Sequence, residues 1–377
     1  MKRIKILVKP TNRCNLHCSY CYNRGFNGRG IMTLKMVEDI CRFLQGFSVD
    51  SWIWHGGEPL IIPREFYSIA AEILSAYGIK KDSVSMQSNG TLLTEEMIEL
   101  CKENNWRIGF SFDGINNDRT RGQTGTVINN LQLYRDLYEQ PGIIMVLCKD
   151  NLPGFSDNYQ YMKELGFSNI SINRIFAAQG APLFQVEDID QYMEEYSRLF
   201  ELWFQDEKPL KIRNYLEFIL YLLDNKRYLC TYQGLCDREW ISIDHRGDLY
   251  PCDRWYPPEY CYGNIADFNN IEEIYQTALY SKIGQETSIR KEKCRSCDIF
   301  VFCQGGCKAN AITNKGTPDQ IDCEIRRREV SFLFDRLKNL DQYKVPNPQL
   351  RRELQKIGFR NLSFIKALQT KGGHLNE

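Results

Sequence analysis

A chain of 377 residues has room for one large domain and a smaller one, and its 43% apolar and 25% charged composition is that of an ordinary globular protein. Forty-eight basic residues balance 48 acidic ones, so no bulk charge draws the chain to nucleic acid or to an anionic membrane. The N-terminus offers no apolar run longer than Ile6–Val8, too short for a signal-peptide core, and no 18-residue apolar run follows. The expectation is a soluble cytoplasmic protein.

In chain order, Ile4–Val8, Ser51–Trp54, Val84–Met86, Ile108–Phe112, Ile143–Leu147 and Asn169–Asn173 read as strands. Between them Thr33–Leu44, Pro63–Tyr77, Thr94–Asn105, Thr126–Glu139 and Phe155–Leu165 read as helices, with Thr33 and Thr94 suited to N-caps. Six strands alternating with helices predict an α/β fold with a parallel sheet, open or curled into a partial barrel. Ligands of such folds bind at the carboxyl ends of the strands, and each unusual motif of the first half falls just after a strand. Glu187–Tyr228 looks helical. From Cys230 to Cys323 the texture changes to short segments and turns carrying nine cysteines. The tail from Lys344 holds seven Lys/Arg against two Glu, and Leu350, Leu354 and Ile357, then Phe364 and Leu368, space as short amphipathic helices.

Fifteen cysteines, an odd count without an export signal, argue against a disulfide framework. Reduced cysteines in clusters serve as metal ligands or redox groups, whereas scattered ones pack as small hydrophobes. Cys14, Cys18 and Cys21 have the spacing C-x₃-C-x₂-C directly after the first strand. Three thiolates can ligate a [4Fe–4S] cluster and leave one iron open to a substrate, while a zinc site would want a fourth ligand at a different spacing.

This segment resembles the radical S-adenosylmethionine (SAM) superfamily. The resemblance implies that the open iron binds the amino acid portion of SAM and that the cluster's electron cleaves it to a 5′-deoxyadenosyl radical. It makes Tyr20 an adenine contact. His55-Gly56-Gly57-Glu58-Pro59, after the second strand, is similar to the family's turn for the SAM ammonium; its glycines allow close backbone approach and Glu58 supplies an acceptor for a cation. Ser111-Phe112-Asp113-Gly114 closes the fourth strand, where relatives place ribose contacts, and Arg121 lies where a related arginine pairs the SAM carboxylate. Gln87 and Asn89, after the third strand, are expected to line the same cavity, and Ile175, after the sixth, to touch the adenine side.

The second cysteine set looks like a SPASM domain, which the resemblance fills with two auxiliary [4Fe–4S] clusters, making three in all. Carried over by position, Cys230, Cys236, Cys252 and Cys307 bind the first and Cys294, Cys297, Cys303 and Cys323 the second. Full ligation would make both electron-transfer centres. Cys41 and Cys101 are expected in the core, while Cys261 lies in a loop near the first auxiliary set and is an alternative to Cys230. The implied organisation is a radical SAM barrel over 1–225, a SPASM domain over 226–340 and a basic helical tail over 341–377.

The pair Cys252-Asp253 is similar to anaerobic sulfatase-maturating enzymes, in which an aspartate after that ligand takes a proton as the substrate radical is oxidised; Asp253 equally suits a turn. Two departures count against a true sulfatase maturase. Asn23 of Tyr22-Asn23 stands in place of a substrate-facing tyrosine, and His55 replaces a glutamine before the Gly-Gly-Glu-Pro turn. His55 is a candidate base or hydrogen-bond donor, or a buried structural histidine. The favoured expectation is a maturase of ribosomally made peptides that installs an oxidative cross-link, a cyclophane or a thioether. Formylglycine formation on a sulfatase is the second reading. A non-catalytic iron–sulfur carrier is the third, disfavoured because a carrier needs neither the glycine turn nor a three-cysteine cluster. The partners implied are a peptide or protein substrate and an external electron donor of flavodoxin or ferredoxin type. With its cluster motif starting at Cys14, the chain is expected to lack a leader-binding domain ahead of the barrel. Precursor recognition then falls to a separate leader-binding protein, the barrel or the tail.

Overall fold

The computed structural model describes residues 2–25, 30–176, 182–224, 230–233, 239–254, 258–313, 319–338 and 345–357. Its strands are β1 (Lys2–Thr11), β2 (Phe47–Gly56), β3 (Val84–Ser88), β4 (Arg107–Ser111), β5 (Gly142–Leu147), β6 (Asn169–Arg174), β7 (Lys211–Ile212), β8 (Trp240–Asp244), β9 (Asp248–Tyr250) and β10 (Gly263–Asn264). The chain separates into two compact units, one of residues 1–144 and 235–286, the other of 145–177, 182–234 and 287–377.

In the first unit the sheet runs β10-β9-β8-β1-β2-β3-β4-β5, parallel from β8 to β5. β1 is buried on both faces, Ile4, Ile6 and Val8 on one side and Leu7 and Lys9 on the other, as a strand central in a parallel sheet must be. The crossover helices Leu34–Phe43, Arg64–Ala76, Glu95–Glu103 and Thr124–Leu137 lie close to the spans read from periodicity. Thr33 and Thr94 do cap theirs, accepting hydrogen bonds from Met36 N (3.1 Å) and Met97 N (3.3 Å). The sequence pattern does not reveal β8–β10. They come from the cysteine-rich half, where β8 pairs parallel with β1 and the β8–β9–β10 meander turns antiparallel.

In the second unit β6 pairs parallel with β7. The helix expected over Glu187–Tyr228 is broken into Ile189–Gln205 and Arg213–Asp224, with β7 between; Pro209, which has no N–H and crowds the preceding turn, explains the break. The last four residues of that span lie outside the described residues. Gln320–Lys338 is the longest described helix, and Pro348–Ile357 buries Leu350 and Leu354 as expected, capped by Asn347, whose Oδ1 accepts from Leu350 N at 3.0 Å. Phe364 and Leu368 lie outside the described residues. No described helix is long and apolar enough to cross a membrane.

Candidate active site

The loop after β1 carries Cys14, Cys18 and Cys21, and the glycine turn after β2 fastens it from beneath. Gly57 N donates to Thr11 O (2.9 Å) and Glu58 N to Arg13 O (2.7 Å). A Cβ on Gly57 would stand 2.0 Å from the Arg13 carbonyl oxygen, so only glycine admits this approach. Gly56, at φ +107°, lies against Lys9 and the Thr11 carbonyl in the same way. Cys14 Sγ accepts from Leu16 N (3.4 Å) and from Asn89 Nδ2 (3.8 Å), and Asn89 also donates to Asn15 Oδ1 (2.9 Å). Burial pushes the Cys14 thiol up and the Cys18 thiol to about 11, with Arg121 opposing the latter. Ligation requires thiolates, so loading a cluster here releases protons.

Glu58, the expected acceptor for the SAM ammonium, also has protein partners of its own. Its carboxylate is 1% exposed and takes three protein donors: Leu60 N (3.0 Å) and Ser88 Oγ (2.8 Å) on Oε1, and Asn89 N (2.7 Å) on Oε2. Most of its acceptor capacity is thus engaged in holding the end of β3 against the cysteine loop.

Tyr20 and Arg121 come together as the motifs imply. Arg121 Nη1 donates to the Tyr20 hydroxyl (2.7 Å), which donates to Asp113 Oδ2 (2.6 Å); Thr120 Oγ1 donates to the same oxygen at 2.7 Å. The Tyr20 hydroxyl is therefore engaged with protein, leaving its ring as the surface for a base. Among the described residues the remaining Arg121 guanidinium N–H groups have no side-chain acceptor, leaving part of its fork for a carboxylate. Gln87 Nε2 donates to Ser111 Oγ (2.9 Å), and Gln87 Oε1 occupies the space a Cβ on Gly109 would need. Ile175 follows β6 in the other unit, where its N–H donates to Leu147 O at 2.9 Å.

A second constellation lies in the first unit, and half of it is invisible in the sequence. Asp253 is half-buried and accepts from the Tyr22 hydroxyl at 3.2 Å, while its backbone carbonyl accepts from Lys9 Nζ at 3.0 Å. Desolvation raises the Asp253 carboxyl, but His55, Arg254 and Lys9 outweigh it and hold the group below its usual value. Desolvation likewise holds His55 below its usual range, so the imidazole is neutral near pH 7. His55 Nδ1 accepts from Gly56 N (2.8 Å), which places the ring proton on Nε2. Of the two candidates, His55 is thus arranged as a donor and Asp253 as an acceptor of protons. Asn23, buried, donates to Asn12 O at 3.3 Å instead of presenting a phenol. Lys9 is visible in the sequence as a charge between the apolar run Ile6–Val8 and Pro10, but nothing local says what it meets.

In the second unit Cys294, Cys297, Cys303 and Cys323 line one pocket, together with Cys307. Cys294 ends a helix, Cys297 N donates to its carbonyl (3.0 Å), Cys303 ends the short helix Phe300–Cys303, and Cys323 lies in the first turn of Gln320–Lys338. Arg326 and Arg327 flank the set: Arg326 pairs with Asp322 at 2.7 Å, and Arg327 Nη2 donates to Cys297 Sγ at 3.9 Å. Asp322 also pairs with Arg174 at 2.6 Å, and Glu329 accepts from Tyr192 (2.6 Å) and Tyr232 (3.1 Å). Among the described residues no three His, Cys, Asp or Glu side chains converge to hold a single metal ion. A [4Fe–4S] cluster spreads its thiolates over the corners of a cube, whereas one ion gathers them at a point. Cys252 lies in the turn after β9, Cys230 opens the helix Cys230–Gln233, and Cys236 lies outside the described residues. Cys41 and Cys101 are core residues, and Cys261 Sγ donates to Gly263 O at 3.6 Å.

These features define a parallel α/β protein with a three-thiol loop at the carboxyl end of its first strand and a separate cysteine-lined pocket. The radical SAM superfamily model matches residues 8–174, and the SPASM iron–sulfur cluster-binding domain matches 235–298. A cysteine-type anaerobic sulfatase-maturating enzyme of Clostridium novyi is 27% identical over 352 residues, covering 86% of this chain and 93% of the relative. The solved structure of polyhistidine-tagged anSMEcpe with bound AdoMet superposes with a TM-score of 0.80 at 22% identity, over 94% of this chain and 98% of that one. Streptococcus suis SuiB bound to its precursor peptide SuiA gives 0.65 at 19%, over 85% and 76%. The chain thus carries a radical SAM domain over residues 8–174 and a SPASM domain over 235–298. It is a radical SAM enzyme, with SAM and iron–sulfur clusters as the cofactors its family implies.

Proposed function

We propose that this enzyme oxidatively modifies a ribosomally made peptide, closing a cross-link such as a cyclophane or a thioether. The observation that carries the reading is Asp253: a half-buried carboxylate next to Cys252, bonded to Tyr22 and beside His55. The likeness to SuiB, solved with its precursor peptide, supports a peptide substrate. Cys14, Cys18 and Cys21 hold the SAM-cleaving cluster; Cys230, Cys236, Cys252 and Cys307, and Cys294, Cys297, Cys303 and Cys323, hold the auxiliary two. When bound, the cofactors would supply the electron chemistry: reductive cleavage of SAM, hydrogen-atom abstraction from the substrate and an acceptor for one substrate electron.

What remains is the work of side chains. Arg121 clamps the SAM carboxylate with the free part of its fork, Tyr20 offers its ring to the adenine, and Gly56, Gly57, Gln87, Asn89, Ser111 and Ile175 shape the rest of that cavity. Asp253 accepts the proton lost as the substrate bond closes, and His55 orients the peptide by donating from Nε2. An external flavodoxin- or ferredoxin-type donor and a separate leader-binding protein complete the system, and the proposed domain limits are 1–225, 226–340 and 341–377.

Asp253→Asn should retain iron and 5′-deoxyadenosine formation while product falls about 10²–10⁴-fold, the range for loss of a general base. Equal loss of deoxyadenosine and product would make Asp253 a fold residue. The full-length similarity to a sulfatase-maturating enzyme favours formylglycine formation as the second reading. Parallel assays on a precursor peptide and on a sulfatase peptide separate the two: a hydrazide-reactive aldehyde on the latter alone would displace the cross-linking proposal.

A further inference from the structure

Lys9 is 2% exposed, yet it ends in an ammonium. Burying such a group costs several kcal/mol unless its surroundings compensate, so its location calls for an explanation. β1 places Lys9 opposite Asp244 of β8, and the missing Cβ of Gly56 lets its backbone lie directly beneath the glycine turn. From there the side chain reaches two segments far apart in sequence. Its Nζ donates to the Asp253 carbonyl at 3.0 Å, one residue past Cys252. It also lies over the Tyr22 ring, 5.4 Å from the centroid, one residue past Cys21. Tyr22 and Asp253 are themselves bonded, so the three residues, through two side chains and both the backbone and side chain of Asp253, form a closed clasp between two cysteine-bearing segments.

The geometry points to Lys9 as a positioning residue that ties the Cys21 loop to the Cys252 turn and, as a fixed buried cation beside both, raises the reduction potentials of the clusters those cysteines hold. This rests on reading Cys21 and Cys252 as cluster ligands. A cluster gains negative charge on reduction, and net charge and hydrogen bonding nearby set its potential. In a buried environment a neighbouring cation acts with little screening. Burial lowers Lys9 to about 8, while the Asp253 and Asp244 carboxylates pull it back up.

The test is an EPR-monitored redox titration of the anaerobically reconstituted full chain as wild type, Lys9→Arg and Lys9→Met, with iron content alongside. The methionine variant should keep its iron, and the signal that SAM perturbs should titrate at a more negative potential. The arginine variant should stay near wild type. Full iron with an unmoved midpoint in Lys9→Met overturns the proposal. If methionine costs iron, Lys9→Gln decides, since it keeps a donor for the Asp253 carbonyl without the charge; an unmoved midpoint there overturns it equally. Failure of the underlying ligand reading shows differently, as wild-type iron content that Cys14, Cys18 and Cys21 substitutions leave unchanged.

Discussion

The two cysteine-bearing sites of this chain are built on different plans. The first hangs three thiols on a loop pinned mainly by backbone hydrogen bonds, a buried carboxylate and an amide: the glycine turn beneath Arg13, Glu58 behind Asn89, Asn89 against Cys14. The second spreads its thiols over helix ends and first turns and surrounds them with ionic partners, among them Arg326, Arg327, Asp322 and Arg174. Three thiols, with part of the Arg121 fork left over among the described residues, suit a site that would admit a substrate. The pocket of the second site is lined by five thiols, the four expected to share one cluster together with Cys307, among side chains bonded to one another, as would suit a closed site that only passes electrons. The difference teaches that the number of ligands and the state of the surrounding donors are designed together.

The contrast can be broken most forcefully by removing each ligand set in turn. Replacing Cys14, Cys18 and Cys21 with Ala should abolish 5′-deoxyadenosine formation and lower iron from about twelve to about eight per chain. Replacing Cys294, Cys297, Cys303 and Cys323 should remove a similar amount of iron yet leave SAM cleavage measurable. Loss of cleavage in both would erase the functional distinction.

A smaller effect tests the ionic frame of the second site. Arg326→Met takes away one of the two arginine partners of Asp322, leaving Arg174, and removes the cation 4.5 Å above the Tyr232 ring. Stranding a buried charge outright costs about 3–5 kcal/mol, so losing one of two partners should cost less than that and register as a modestly lowered Tm in thermal unfolding. An unshifted Tm would mean that the pocket does not depend on its charges.

Glu58→Gln sharpens the first site. A glutamine amide turns N–H groups toward donors that now meet a carboxylate, which should cost about 1–3 kcal/mol of stability and loosen iron retention. If Tm and iron hold while SAM affinity collapses, Glu58 is the ammonium partner its motif suggests rather than a brace for the cysteine loop. The smallest effect belongs to Arg121→Ala, expected to weaken SAM binding by about 1–3 kcal/mol in calorimetric titration, the scale of one charge-assisted contact. Unchanged affinity would confine Arg121 to its bond with Tyr20.

Much of this was legible because the chemistry is local. Three thiols within eight residues, a Gly-Gly-Glu turn after an apolar run, and helices capped by Thr33 and Thr94 are short-range patterns, and short-range geometry follows from residue type. Ligand count alone led to the expectation of one open site and two closed ones. Tertiary structure decided the rest. Tyr22 meets Asp253 across 231 residues of chain and Lys9 reaches it across 244, pairings that no local periodicity encodes. Strands β8–β10 join the sheet because β1 offers an unpaired edge, which a pattern of turns and cysteines does not announce. For Glu58 the sequence names an acceptor, and only the tertiary structure shows that Leu60, Ser88 and Asn89 already take three of its acceptor positions.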